Sequence, residues 1–495
     1  MGQLFVALAT GLIVTSIWLL VRNARTLTEK IITKLLVVLH PIKDAQNTGI
    51  PGPNWKPFDG QTLEKFLDGK ARTEEWQRCY GPIYRIWSGT TPEIVITRPE
   101  DIRSFHSDSA AHNKARSSNA GWMFHQLLGE CMGLINGPRW TALRNEFGPT
   151  YAHSAVVEKA SILSVEAREY VDHLDPQRRP GFRLRAADAV SRFPFFCTAT
   201  SIYGPLSSQE KDQLWSVAQQ NLAIMGKYVL LGGIYRSGRL SRWLSPASVR
   251  ELGAFQAAWE EFNVRMFRTR REKRKLVPIV ELWRHVEEGL VTKDEALHTL
   301  SEILFANLDV ATGTLSWLVI FLALDESVQK QLREELGGRP AEESCTKKDD
   351  LLAYCFMETL RLRPFTAFSI PESSPNDKIL GGFQIPANTS VVVSALHVNY
   401  NKGFWGQDSD QFRPGRFSAV KALDLRYNLF SFGFGTRKCL GQRFGEVMLK
   451  LFVIHLLGRY DISLTPAARA DLDKVGRDNW VPIPEADVFF TERKA

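Results

Sequence analysis

Cys439 lies in Phe432-Gly433-Phe434-Gly435-Thr436-Arg437-Lys438-Cys439-Leu440-Gly441, one thiol on a glycine-loosened loop beside cations, leading into the apolar run from Val447 to Leu457. A buried thiolate stays ionised only with help from positive charge, backbone N–H donors or a helix N-terminus, and this segment can supply all three. Glycines at 433, 435 and 441 let the backbone approach a flat macrocycle closely. The loop therefore reads as an axial thiolate for a haem iron, a ligand that pushes electron density toward bound dioxygen and favours O–O cleavage. Taken alone, a cysteine on a Gly-rich turn is as readily an inert packing residue. What accompanies it decides.

The positions Phe432, Gly435, Arg437, Cys439 and Gly441 resemble the haem-ligand loop of the cytochrome P450 family, and further segments follow in the order that family requires. Glu358-Thr359-Leu360-Arg361 sits in a helical pattern from about Asp349 to Arg363, which must stop before Pro364. A spacing of three places Glu358 and Arg361 on one face, where an exposed pair would contribute only about 0.2–0.5 kcal/mol. Phe412-Arg413-Pro414-Gly415-Arg416-Phe417 resembles the segment that brings a second arginine to that glutamate. The resemblance implies a buried structural triad of Glu358, Arg361 and Arg416 beneath the ligand loop.

Trp140 and Arg144, four residues apart, share one side of a helix. The resemblance makes them donors to the propionates of haem b (heme b, iron protoporphyrin IX), with Arg437 a third. His397 aligns near the haem edge and is equally a structural histidine. The arginine usual after the Glu358 helix is replaced in Phe368-Ser369-Ile370-Pro371-Glu372, so one propionate donor is expected to be missing.

Thr292-Lys293-Asp294-Glu295 is a capping box opening an apolar helix that continues to Leu324. The family's oxygen-activating helix carries small residues, an acid and an alcohol at its centre. This chain has Ala306-Asn307-Leu308-Asp309-Val310-Ala311-Thr312, so Ala306 and Asp309 fit while Asn307 and Val310 depart. Asp309 either relays protons or is a helix polar group bonded to Asn307 or solvent. With no alcohol at 310, proton delivery falls to water, substrate hydroxyls or Thr312. Asp309 and Thr312 are the expected catalytic pair. By family position, Met123 to Leu128, Ala306 to Thr312 and Phe365 to Ile370 border the substrate, with Ala306, Val310, Phe365, Phe368 and Ile370 forming an apolar, aromatic wall.

The elements that must position these residues read as mainly α with a minor β subdomain. Tyr80 to Trp87 and Glu93 to Thr97 form a β-hairpin, a helix opens at Pro99, Ala387 to Leu396 is a further strand, and Met225 to Leu244 is either a lid between long helices or an ordinary loop. With 495 residues, 44% of them hydrophobic, the chain can bury one large catalytic core. Six cysteines without regular spacing suggest neither a zinc site nor a disulfide framework.

Leu4 to Val21 is an 18-residue stretch without charge, followed by Arg22, Arg25, Lys30 and Lys34. That order predicts an uncleaved single-pass anchor with the remainder in the cytosol, at the endoplasmic reticulum by resemblance. Ile31 to His40 is a second apolar stretch suited to the membrane interface. The expected organisation is an anchor over 1–25, a membrane-proximal linker over 26–50 and a haem-thiolate domain over 51–495. A net charge of +8 and the basic run Arg265 to Lys275 could suggest nucleic acid, but without a recognition fold they read as a solvated face or a surface for anionic lipid and an acidic electron donor. The resemblance implies a monooxygenase fed electrons by NADPH-cytochrome P450 reductase, acting on a hydrophobic small molecule. The Asn-Leu-Asp-Val core and Phe365 to Pro371 resemble fungal oxygenases of secondary metabolism, diketopiperazine tailoring among them. Two rivals remain open: a reductase-independent enzyme that rearranges peroxides, and a haem-binding sensor or carrier.

Overall fold

The computed structural model describes residues 23–493 except 176, 178, 471, 473–480 and 482. The anchor expected over Leu4 to Val21 lies outside the described residues. Helix α1 covers 23–39 and exposes Leu27, Ile31, Leu35 and Val38, an i, i+4, i+8, i+11 stripe, while Leu36 is buried. The following segment is no loose linker. Lys43–Asp44 pairs antiparallel with Phe383–Ile385, and Ile42 and Ile50 are buried beside Ile83 and Ile94. The segment expected as a membrane-proximal linker over 26–50 thus holds most of α1 and this paired strand.

The expected hairpin forms from β1 (Ile83–Ser88) and β2 (Thr91–Ile96). With β3 (Asn113–Lys114), β4 (Glu372–Ser373) and β5 (Ser390–Val393) they make a five-stranded sheet ordered β1-β2-β5-β4-β3. β2 and β5 run parallel, and Ile94, Val95, Ile96, Val391, Val392 and Val393 are all buried, as strands covered on both faces require. The strand expected over Ala387 to Leu396 is shorter, because Ala395–Asn399 turns into a helix.

Two three-stranded sheets complete the β structure, and helices supply most of the rest. α2 (Gly137–Tyr151), α3 (Ser208–Ile224) and α4 (Pro246–Glu272) precede the long α5 (Lys293–Leu324), with α6 (Leu351–Leu362) and α7 (Gln442–Arg459) after it. The capping box at Thr292 and Glu295 is present in both directions. α5 is long and apolar enough to cross a membrane, but 78% of its apolar window is buried in protein, which makes it the core helix. Its regular ladder opens into a π turn at Glu302–Ala306. The segment between α3 and α4 is ordered into short turns and a helix over Gly238–Leu244. The basic run at the end of α4 is partly structural, since Arg270 is buried against Glu210 and the carbonyls of Tyr203 and Pro205.

The expected triad is present and buried. Arg361 Nε and Nη2 donate to the two oxygens of Glu358 at 2.6 and 2.8 Å, and Arg416 Nε donates to Glu358 Oε1 at 3.0 Å. Neither Glu358 nor Arg361 has exposed surface. Arg361 also donates to the carbonyls of Asn399 and Ser409, and Arg416 to that of Trp405. Removing one partner of such a pair strands a buried charge, so Glu358→Ala is expected to destabilise the fold by about 3–5 kcal/mol. The exposed Lys330–Glu334 pair is the contrast: Glu334→Ala should change stability by no more than about 0.5 kcal/mol. Chemical-denaturation midpoints of the two variants check both values.

Candidate active site

The ligand loop is built from the triad upward. Asn399, whose carbonyl accepts from Arg361, uses its side chain to clamp Phe430: Nδ2 donates to the Phe430 carbonyl at 2.9 Å and Oδ1 accepts the Phe430 N–H at 2.7 Å. Two residues later the Phe432 carbonyl accepts the Cys439 N–H at 2.9 Å and closes the loop. Gly433 and Gly435 have φ of 77° and 65°, conformations that L side chains rarely adopt. At Gly435 a Cβ would lie 2.5 Å from Ser109, so the glycine permits close approach to that turn; it does not line the cavity. The loop delivers Cys439 to the start of α7.

Cys439 keeps exposed surface and lines an open cavity of about 1950 Å³. Burial pushes the Cys439 thiol above its usual range; the Gly441 N–H and the charges of Arg144 and Lys438 oppose this without overcoming it. A coordinating metal ion would favour the thiolate form there.

Phe432, Gly441, Trp140, Arg144 and Arg437 line this cavity with Cys439. So does one stripe of α5: Glu302, Ala306, Val310 and Thr314. Asp309 and Thr312 do not. They border a separate pocket of about 650 Å³ with Arg185, Asp188 and Trp215. Each helical residue turns about 100°, which sends 309 and 312 away from the face carrying 306 and 310. The hydroxyl that continues the cavity stripe is Thr314, four residues after Val310. Its spacing was in the sequence, and Glu302 could have been found in the same way.

One edge of the cavity is basic. Arg437 stacks over the Trp140 ring at 4.5 Å and donates to the Ile135 carbonyl at 2.9 Å, and burial pulls its pKa down to about 10. Arg144 donates to the Lys438 carbonyl. The donor expected to be missing at 372 is made good across the sheet: Lys114, the register partner of Glu372, also lines the cavity and donates to Glu372 Oε1 at 2.8 Å. Burial would raise the Glu372 carboxyl, but the charge and hydrogen bond of Lys114, with His112 Nδ1 3.6 Å from the other oxygen, hold it down at about 2. His112 is held on its other side by Asp108 at 2.9 Å. His106, His112 and Glu372 bring ligating atoms within 4.8 Å of one another, yet the Lys114 ammonium already supplies a cation to this carboxylate.

Phe365, Ser369 and Ile370 line the cavity, whereas Phe368 does not. It packs instead against Trp76 at 5.9 Å, in the cluster with Tyr84, Ile86, Val95 and Val392. Met123 and Leu127 are buried in the main core; Met132 and Gly133, further along, reach the cavity instead. His397 bonds Ser394 at 2.9 Å and lies outside the cavity, and burial lowers its pKa to about 4. It is structural.

This constellation fits an iron porphyrin. The thiol supplies the axial ligand, aromatic and aliphatic side chains supply the walls, and Trp140, Arg144, Arg437 and Lys114 supply a cationic edge for propionates. The buried Nδ1 of His106, on the same edge, has no hydrogen-bond partner among the described residues.

Comparison with known proteins agrees. The family model described as Cytochrome P450 matches residues 50–476. The chain is 36% identical to cytochrome P450 monooxygenase hasH of Aspergillus fumigatus over 94% of this chain and 89% of that protein. It is 36% identical to cytochrome P450 monooxygenase sirC of Leptosphaeria maculans, covering 97% of this chain and 96% of the relative. It is 35% identical to cytochrome P450 monooxygenase asaD of Aspergillus flavus, covering 92% and 90%.

Two outcomes are expected at the basic edge. Lys114→Met removes a cation, so the purified protein should lose haem to apomyoglobin several-fold faster than wild type. The folded-state pKa of Glu372 is depressed from 4.5 to about 2, so its stabilisation is present above pH 4.5 and is lost as pH falls toward 2. Thermal melts across that window should show a steeper acid loss for wild type than for Glu372→Gln.

Proposed function

The chain belongs to the cytochrome P450 family, and from that premise we propose that it is a membrane-associated monooxygenase of fungal secondary metabolism that oxidises an apolar small molecule, with diketopiperazines the narrower class. Members of the family are haem-thiolate monooxygenases, and haem b is the cofactor. The observation that carries the reading is one cavity shared by the Cys439 thiol, the Ala306–Val310 stripe and a cationic edge.

The bound haem supplies dioxygen activation: one oxygen atom enters the substrate, the other leaves as water, and two electrons arrive from NADPH through a reductase. The protein's part is positional. Cys439 provides the iron ligand, while Lys114, Arg144, Arg437 and Trp140 orient the propionates. Phe365, Ile370 and Val310 keep the substrate side apolar and dry. Ala306 leaves room beside α5, and Asn307 Nδ2 bonds the Ile303 carbonyl at 3.0 Å where the π turn opens. Asp309 is proposed to exchange protons with solvent through the pocket it shares with Arg185. With Val310 in place of an alcohol, reductase-independent rearrangement of a peroxide is the second reading.

Membrane contact is supported by apolar side chains left in the open. Leu27, Ile31, Leu35, Val38 and Leu39 of α1 are exposed, as are Phe58, Leu231, Trp243 and Leu244. Arg236 pairs with Asp59 and ties the segment between α3 and α4 to the Phe58 region. The reductase is proposed to dock on the thiolate side, where Lys438 and Arg426 are exposed.

The reduced protein under carbon monoxide should give a thiolate-type Soret difference band that Cys439→Ser abolishes. Turnover of an apolar substrate should then need NADPH and reductase; reductase-free turnover with peroxide alone would favour the second reading. Trp243 fluorescence should be quenched on mixing with vesicles of brominated lipid, and unchanged fluorescence would remove that segment from the membrane surface.

A further inference from the structure

α5 presents one carboxyl to the cavity, that of Glu302, two turns before Val310 on the same stripe. Its Oε2 accepts the Gly133 N–H at 2.9 Å. The carboxyl lies so flat against Gly133 that a Cβ there would come within 1.8 Å of Oε1. The cavity's other carboxyl, Glu372, is neutralised by Lys114, but among the described residues no cation comes within ion-pair distance of Glu302. Burial raises its pKa, and the Gly133 N–H, the Cys131 thiol and the more distant charges of Lys114 and Arg437 do not offset that. In its uncharged form, which burial favours, the Glu302 carboxyl has one O–H to donate and lone pairs to spare. Met132, Ile303, Val310, Phe365 and Ile370, which line the same cavity, offer no side-chain hydrogen bonds.

We propose that the Glu302 carboxyl is the substrate-recognising side chain of this cavity, pairing with a neutral group that both donates and accepts, above all a secondary amide or lactam. The pairing is reciprocal: the carboxyl O–H donates to the amide carbonyl, and a carboxyl oxygen accepts the amide N–H. A cationic amine is the competing ligand class, because it would call for an ionised carboxylate. Discrimination follows from the burial itself, since a ligand unable to pair leaves a desolvated polar group unsatisfied. The inference rests on the monooxygenase reading, and the carbon monoxide band reports on that reading separately.

The test uses the haem-loaded full chain at pH 7 with cyclo(L-Phe-L-Phe), its N,N′-dimethyl derivative and 2,5-dibenzylpiperazine as probes, with dissociation constants measured by calorimetry. Wild type should prefer the secondary lactam over the methylated form by on the order of tenfold or more. Glu302→Gln, which keeps a donor and an acceptor, should retain most of that preference, and Glu302→Leu should lose it while the carbon monoxide band persists. Infrared difference spectra of wild type against Glu302→Gln should show the carbonyl stretch of a neutral carboxylic acid, shifted when the lactam binds. The proposal is overturned if wild type binds lactam and methylated lactam equally or binds neither. An ionised carboxylate, tighter binding of the amine, or equal loss in the Gln and Leu variants would overturn it as well, the last assigning Glu302 to wall packing.

Discussion

A carboxylate without exposed surface, that of Glu358, is the constraint on which the site depends. Buried charge is tolerated only when paired and fully hydrogen-bonded. Arg361 and Arg416 meet that demand, and the Arg413 N–H adds a further donor at 2.9 Å. Each arginine has donors left over, which reach the carbonyls of Asn399, Ser409 and Trp405. Asn399 passes the constraint on by gripping both backbone groups of Phe430, and Phe432 closes on Cys439. The thiol is therefore located by a relay that begins at a charge with nowhere else to go.

Electrostatics around the cavity follow the same economy of partners. Burial raises the pKa of the Cys439 thiol, and the Gly441 N–H and the charges of Arg144 and Lys438 oppose it; a coordinating metal ion would add to that opposition. At the basic edge β3 pairs Lys114 directly across from Glu372, so the two hold each other in place and Arg144 and Arg437 keep the edge cationic. Asp108 binds both Lys378 and His112, extending the network to the outside of the sheet.

What the sequence made legible was local. The Cys439 loop, the Glu358–Arg361 spacing, the capping box at Thr292 and the β1–β2 hairpin all involve near neighbours, and the structure has each where its residues implied. What escaped depended on partners distant in the chain or on the phase of an element. Lys114 could not be recognised as a cavity cation without knowing that its strand pairs with Glu372. Residues 40–50 looked like a linker because the Phe383–Ile385 strand that pairs with them comes much later. Asp309 and Thr312 turn to the pocket of Arg185 and not to the thiol's cavity, and Phe368 packs against Trp76, placements that depend on partners far away in the chain.

α5 explains why phase matters so much here. The helix is a wall between two spaces, with Glu302, Ala306, Val310 and Thr314 turned to the thiol's cavity and Asp309 and Thr312 turned to the pocket of Arg185. A protonatable group therefore stands on each side of a helix that is otherwise apolar through most of its length. The π turn at Glu302–Ala306 lies where they come closest along the chain, and a π turn shifts the phase of every residue after it relative to those before. Glu302, Ala306, Val310 and Thr314 are four residues apart throughout and share the cavity face, while Asp309 and Thr312 fall between them and turn to the outer pocket. One helix thereby carries an acid for the cavity and an acid for the outer pocket at once.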